Sequence, residues 1–157
     1  MSEGLDSTDL AILNELQANG RLTTAELAQR VNLSQSPCWR RVNKLESEGV
    51  IRGYHAEVNR RVVGLGAMVF VMISIDYQSA DRLQEFQDAV VKIPEVVMFH
   101  SISGSEDFIL VVLAKDLEAF SDLLHDKLHR LPGLARLQTY FSLREIKGRV
   151  AEIPIEL

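Results

Sequence analysis

The sequence predicts an α+β chain, an N-terminal winged helix-turn-helix followed by a ferredoxin-like βαββαβ domain, on three observations. Apolar residues recur at helical spacing through the first forty-nine residues, broken twice by short polar turns. Beyond residue 66 the pattern changes to apolar strands separated by two helical stretches. The charge divides in the same place. Residues 1–61 carry eight basic and eight acidic side chains, whereas residues 62–157 carry nine and fourteen and hold the whole net charge of −5. Contact with a polyanion is therefore expected in the first part.

The first helix is predicted from an N-cap at Asp6, with Leu10, Ile12, Leu13 and Leu16 on its apolar side and Asn19-Gly20 closing it. Thr23-x-x-Glu26 is a capping box for the second, with Leu27 and Val31 on one face. Asn32-Leu33 turns the chain, and Ser34 is the expected cap of the third helix. Pro37 falls in its first turn, where a missing N–H costs little, and Gly49 ends it. So short a connection forces the second and third helices to cross steeply, which is the helix-turn-helix arrangement. Residues 50–58 place apolar residues around Gly53, the pattern of a short hairpin wing. The expected domains are residues 1–58, a linker over 59–66, and residues 67–157.

In the third helix Cys38, Val42 and Leu45 form the buried stripe. Ser36, Arg40, Asn43 and Ser47 lie opposite it, flanked by Trp39 and Lys44. Hydroxyl, guanidinium, amide and ammonium groups are those that bond base edges and phosphates in a major groove. Ser34, Gln35, Ser36, Trp39, Arg40, Arg41, Asn43 and Lys44 are the candidate DNA contacts. Between Ser34 and Leu45 there are three cations and no anion. Arg41 sits nearer the core edge, suited either to a phosphate or to bracing a neighbouring helix. Trp39, the only tryptophan, suits stacking on sugar or thymine methyl groups and shielding a helix interface equally well.

The second part reads as a strand over 67–77, a helix over 80–93 capped by Ser79 and stopped by Pro94, and strands over 96–103 and 107–115. A helix capped by Asp116 runs to about Leu131, and a last strand spans 136–144. The first and third strands are apolar on both faces. Val69, Val71, Ile73 and Ile75 oppose Met68, Phe70 and Met72, and Phe108, Leu110 and Val112 oppose Ile109, Val111 and Leu113. Two helices cover one face only, so a second copy of the sheet is expected on the other.

The remaining features limit the function classes. No apolar run is long enough to span a membrane, and the acidic N-terminus lacks signal-peptide character. With Cys38 as the only cysteine, these point to a cytoplasmic chain. His125 and His129 have metal-ligand spacing but no evident third ligand. No nucleophile elbow, phosphate loop or dinucleotide fingerprint is present. The expectation is a non-enzyme with no metal and no cofactor.

The stretch Leu5-Asp6-x-x-Asp9-x-x-Ile12-Leu13, then Asn19-Gly20-Arg21 and Glu26-Leu27-Ala28, closely resembles the N-terminus of the Lrp/AsnC, or feast/famine, regulators. So does Leu33-Ser34-x-Ser36-Pro37-Cys38-Trp39-Arg40-Arg41-Val42-x-x-Leu45-Glu46-x-x-Gly49-Val50-Ile51. The resemblance covers nearly the whole chain. It implies a dimer joined through the sheets and assembled further to tetramers or octamers. It implies an amino-acid effector bound between those domains, and double-stranded DNA bound at imperfect palindromes.

The family's effector loop, Gly-x-x-Asp-Tyr, stands here as Gly104-Ser105-Glu106-Asp107-Phe108. Phenylalanine in place of tyrosine removes one hydroxyl partner. A glycine turn exposes N–H groups suited to a carboxylate, and Asp107 suits an ammonium. His100, Ile102, Ser103, Thr139 and Ser142 complete the candidate effector set. Three readings follow: an effector-responsive regulator, an effector-independent architectural DNA protein, and a metabolite-binding module or enzyme without DNA contact.

Overall fold

The computed structural model describes residues 4–76, 80–148 and 154–155. The chain divides into two units, residues 1–57 with 147–157, and residues 58–146.

The first unit begins with reciprocal caps. Asp6 accepts the Asp9 N–H at 2.9 Å and Asp9 accepts the Asp6 N–H at 3.2 Å, starting α1 (Ser7–Ala18). Thr23 and Glu26 close the same box on α2 (Thr24–Arg30). Ser34 stands at the N-cap of α3 (Gln35–Ser47), but its side chain makes no cap hydrogen bond. The expected hydroxyl cap is therefore corrected. The start of α3 rests on main-chain bonding, with Ser34 O accepting the Cys38 N–H at 3.2 Å. Asn32 takes the left-handed conformation (φ 53) that turns α2 into α3. Ile12, Leu27, Ala28, Cys38 and Leu45 form the core, with Leu13, Leu16, Val31, Val42 and Ile51 packed around it.

The hairpin expected over 50–58 does not form: no strand is present there. The segment folds back onto the helices instead of pairing with itself. The Ile51 N–H bonds Leu45 O at 3.0 Å, and the Tyr54 hydroxyl donates to Glu46 Oε1 at 2.9 Å. The Tyr54 ring lies against Gly20 so closely that a Cβ there would meet it at 3.3 Å. Burial and the Glu46 carboxylate push the Tyr54 phenol up to about 12.

The second unit starts with a turn across the expected linker, residues 59–66. The Arg60 guanidinium donates to Leu65 O and Gly66 O, both at 2.9 Å. A Cβ on Gly66 would sit 2.8 Å from Lys115 O, so only glycine permits that approach. The unit runs β1 (Ala67–Ile75), α4 (Ala80–Val91), β2 (Val96–Ser101), β3 (Phe108–Ala114), α5 (Leu117–Asp126), a 3₁₀ turn (Leu128–Arg130) and β4 (Leu134–Phe141). The expected strand end Tyr77 and cap Ser79 lie outside the described residues. The sheet order is β2-β3-β1-β4 with every pair antiparallel, the ferredoxin-like arrangement.

The predicted alternation holds. Val69, Val71, Ile73, Phe108, Leu110 and Val112 pack with Phe86, Val90, Phe120 and Leu123 in one core. The register pairs Met68 with Leu113, Phe70 with Val111 and Met72 with Ile109, so these residues share the opposite face. The helix expected to reach Leu131 breaks at Lys127 (φ −119, ψ −58). A three-residue period brings Leu128 and Leu131, both buried, to the core together. Among the described residues no helix is long and apolar enough to cross a membrane.

Candidate nucleic-acid interface and effector site

The stripe of Cys38, Val42 and Leu45 turns inward and fixes what α3 presents outward. Ser34, Gln35, Ser36, Arg40, Lys44 and Ser47 are exposed, and Asn43 is half-buried. Trp39 is 56% exposed, which decides against its shielding a helix interface within the chain. Arg40 makes no ion pair among the described residues. The anions at the end of α3 have their own partners, Glu46 with Tyr54 and Glu48 with Lys44 at 3.9 Å. Cys38 is fully buried and burial pushes its thiol up, so it packs and does not react.

Arg41 is engaged within the chain. Its Nη1 donates to Asp6 Oδ2 and Asp9 Oδ1, both at 2.7 Å. Asp9 is only 4% exposed, so the guanidinium answers a buried charge and ties α1 to α3. The Asp9 N–H and the Arg41 guanidinium hold the Asp6 carboxyl below its ordinary value. The bracing role expected for Arg41 is formed in the free chain. Arg41→Ala is expected to lower the melting temperature of the N-terminal unit by about 4–8 °C, the shift that ~1 kcal/mol produces in a small domain. Calorimetry of Arg41→Ala beside Arg40→Ala checks this, because the latter is expected to melt normally.

The candidate effector loop, residues 102–107, joins β2 to β3 at the Ile73–Ile75 end of β1. The Asp107 N–H bonds Ile73 O and the Ile102 N–H bonds Asp107 O, both at 2.9 Å. Asp107 Oδ2 accepts the Ile75 N–H at 2.9 Å. The carboxylate expected to meet an ammonium therefore shapes the loop first. Glu106 is buried between the Ser74 hydroxyl and Arg136 Nη2, the latter at 2.7 Å. Phe108 is buried in the core against Phe86 and Phe99. Ser103, Gly104 and Ser105 are exposed, Ile102 is half-buried, and a Cβ on Gly104 (φ 157) would meet nothing within 4 Å.

The other candidates scatter. His100 pairs with Ile109, on the face shared by Met72, two residues before the loop. Thr139 pairs with Val71. The Ser142 N–H bonds Met68 O. That is five residues back along β1 from the loop's anchor at Ile73, roughly 17 Å at ~3.3 Å per residue. Ser142 does not join the loop within one chain. Ser74 and Arg136 were not anticipated; their signal was a polar residue interrupting an apolar strand opposite a cation across the sheet. His125 and His129 meet edge to face with ring centres 5.5 Å apart, and no group of three or more metal-ligating side chains occurs among the described residues.

The Ser74 hydroxyl, and then Arg136, hold the Glu106 carboxyl below its ordinary value of 4.5. A depressed carboxyl contributes stability above its unfolded value and loses it as pH falls through the folded one. The second unit is therefore expected to weaken as pH drops below about 4.5, and Glu106→Gln to lack that component. Thermal melts of both proteins between pH 3 and 6 check the slope.

These two arrangements match known proteins. A winged helix-turn-helix DNA-binding family model matches residues 5–52, and the Lrp/AsnC ligand binding domain matches residues 68–151. The chain belongs to the Lrp/AsnC family. The leucine-responsive regulatory protein of Escherichia coli (strain K12) is 40% identical over 143 residues, 91% of this chain and 87% of that protein. A Neisseria meningitidis transcriptional regulator, solved as its L-Met complex, superposes with a TM-score of 0.90 at 40% identity, covering 95% of this chain and 96% of that one. An AsnC family regulator from Agrobacterium tumefaciens reaches 0.90 at 34% identity over 96% and 97% of the two chains. This Lrp/AsnC chain is accordingly a transcription regulator with a DNA-binding and a ligand-binding unit, not an enzyme.

Proposed function

We propose that this Lrp/AsnC regulator reads DNA with the outward side of α3 and responds to an amino-acid-like effector at the 102–107 loop. The observation that carries the reading is that face itself: Ser34, Gln35, Ser36, Trp39, Arg40 and Lys44 are exposed, with Asn43 at its edge. Side chains of these kinds meet base edges and phosphates, and Arg41 holds the helix in place from behind.

The effector carboxylate binds the Ser103–Ser105 N–H groups beside Arg136, whose guanidinium is half-exposed while one nitrogen holds Glu106. An amino-acid ligand is supported by the L-Met complex of the Neisseria relative. The apolar face carrying Met68, Phe70, Met72 and Met98 is covered by a second copy, giving a cytoplasmic homodimer that assembles to tetramers or octamers on imperfect palindromes. Two copies related by a twofold axis present two reading helices to two half-sites.

A thermal-shift screen of the twenty amino acids tests the effector reading. A ligand at a hundred times its dissociation constant is expected to add about 2.7 kcal/mol of apparent stability. Arg136→Ala should abolish the shift. No shift with any amino acid, alongside normal DNA binding, leaves the effector-independent architectural protein as the correct reading.

A further inference from the structure

The first unit holds a groove that the DNA reading does not use. It is lined by Leu13, Leu16 and Gly20 of α1 and the following turn, and by Val50, Ile51 and Tyr54. Its volume is about 580 Å³. Val50 and Tyr54 are exposed apolar residues, and the hydroxyl bond to Glu46 holds the Tyr54 ring in place. Arg52 and His55 stand on the same wall, so the groove is apolar with a basic rim.

Residues 147–157 group with this unit although they follow β4 in the chain. Ile155 is half-buried and lines the groove, and Asn14 Nδ2 donates to its carbonyl at 3.4 Å. The sequence there alternates Ile153, Ile155 and Leu157 with Pro154 and Glu156. Its composition complements the groove: apolar side chains for the floor, acids for Arg52, and a proline that disfavours helix.

We propose that the groove between α1 and residues 50–55 is a docking site for the chain's own C-terminal segment, an apolar-acidic peptide centred on Ile155. Because that segment follows β4, docking gives the DNA-reading unit a second covalent tie to the ligand-binding unit, besides residues 58–66. None of the lining residues belongs to α3. The proposal therefore stands or falls separately from the DNA reading.

The test is anisotropy of a labelled peptide of residues 147–157 against three proteins: the intact chain, the chain ended after Gly148, and full-length Ile155→Asp. The peptide is expected to bind the shortened chain saturably. An Ile155→Asp peptide should bind at least about tenfold more weakly, the loss expected when a half-buried isoleucine is replaced by a charge. The intact chain should exclude the peptide at every protein concentration. The full-length Ile155→Asp protein should accept it, which keeps the test valid if the shortened chain folds poorly. Equal binding of the two peptides, or no saturable binding to either altered protein, overturns the proposal. So does an intact chain that binds as well as the shortened one. Exclusion that fades on dilution overturns it in favour of a tail from a second copy.

Discussion

Phe86→Ala is expected to destabilise the ligand-binding unit by about 3–5 kcal/mol, the cost of removing a fully buried aromatic ring. Phe86 comes from α4 and has no exposed surface. Its ring lies 5.2 Å from Phe108 and 6.1 Å from Phe99, and those two lie 5.3 Å from each other. The three rings pin α4 to β2 and β3, the strands that enter and leave the 102–107 loop. Truncation loses apolar burial and two aromatic contacts, and leaves a cavity that β2 and β3 cannot collapse into without giving up their ladder. Denaturant unfolding followed by circular dichroism measures the loss. Phe86→Leu should cost less than half as much. A change below about 1 kcal/mol for the alanine variant contradicts the central place given to this ring.

Arg40→Ala is expected to weaken binding to a selected duplex by about 1–3 kcal/mol, five- to 150-fold, with no change in stability. Arg40 is exposed and makes no ion pair among the described residues, so it contributes little to its own fold. The guanidinium fork is the side chain best matched to the two acceptors of guanine. Lys44→Ala is the contrasting variant. A phosphate contact carries no sequence information, so its loss should lower affinity evenly across duplexes and reduce the salt slope by about one. If Arg40→Ala changes affinity alike for selected and random duplexes, Arg40 is a phosphate contact and base reading lies elsewhere on the helix.

What was legible in the sequence is what neighbouring residues decide. The cap at Asp6 and the box at Thr23 involve residues no more than three apart, and both formed. The alternation of Val69, Val71 and Ile73 against Met68, Phe70 and Met72 needs only a pleat, and its two faces follow. The departures at residues 50–58 and at the acids 106–107 share one cause, partners outside their own segment. Tyr54 is held by Glu46 and lies against Gly20, so residues 50–58 lie along the helices and make no hairpin. Glu106 and Asp107 look like free acids on a turn, yet Ser74, Ile75 and Arg136 take them up from two other strands. The sequence places Arg41 near the core edge, but its partner Asp9, thirty-two residues away and buried, comes only from the packing of α1 on α3. Local spacing set the bounds of α3 and of the turn between β2 and β3, but only the cross-strand and cross-helix contacts separate the side chains left exposed from those already in use.

The most direct test of the account uses Trp39, the only tryptophan in the chain and more than half exposed on α3. Iodide quenching of its fluorescence is measured in the free protein and in the complex with a duplex selected from a random pool. The account predicts strong quenching before DNA is added and marked protection once the duplex is bound, because the groove walls enclose that side of the helix. A complex that forms fully by anisotropy while iodide reaches Trp39 as freely as before would contradict it.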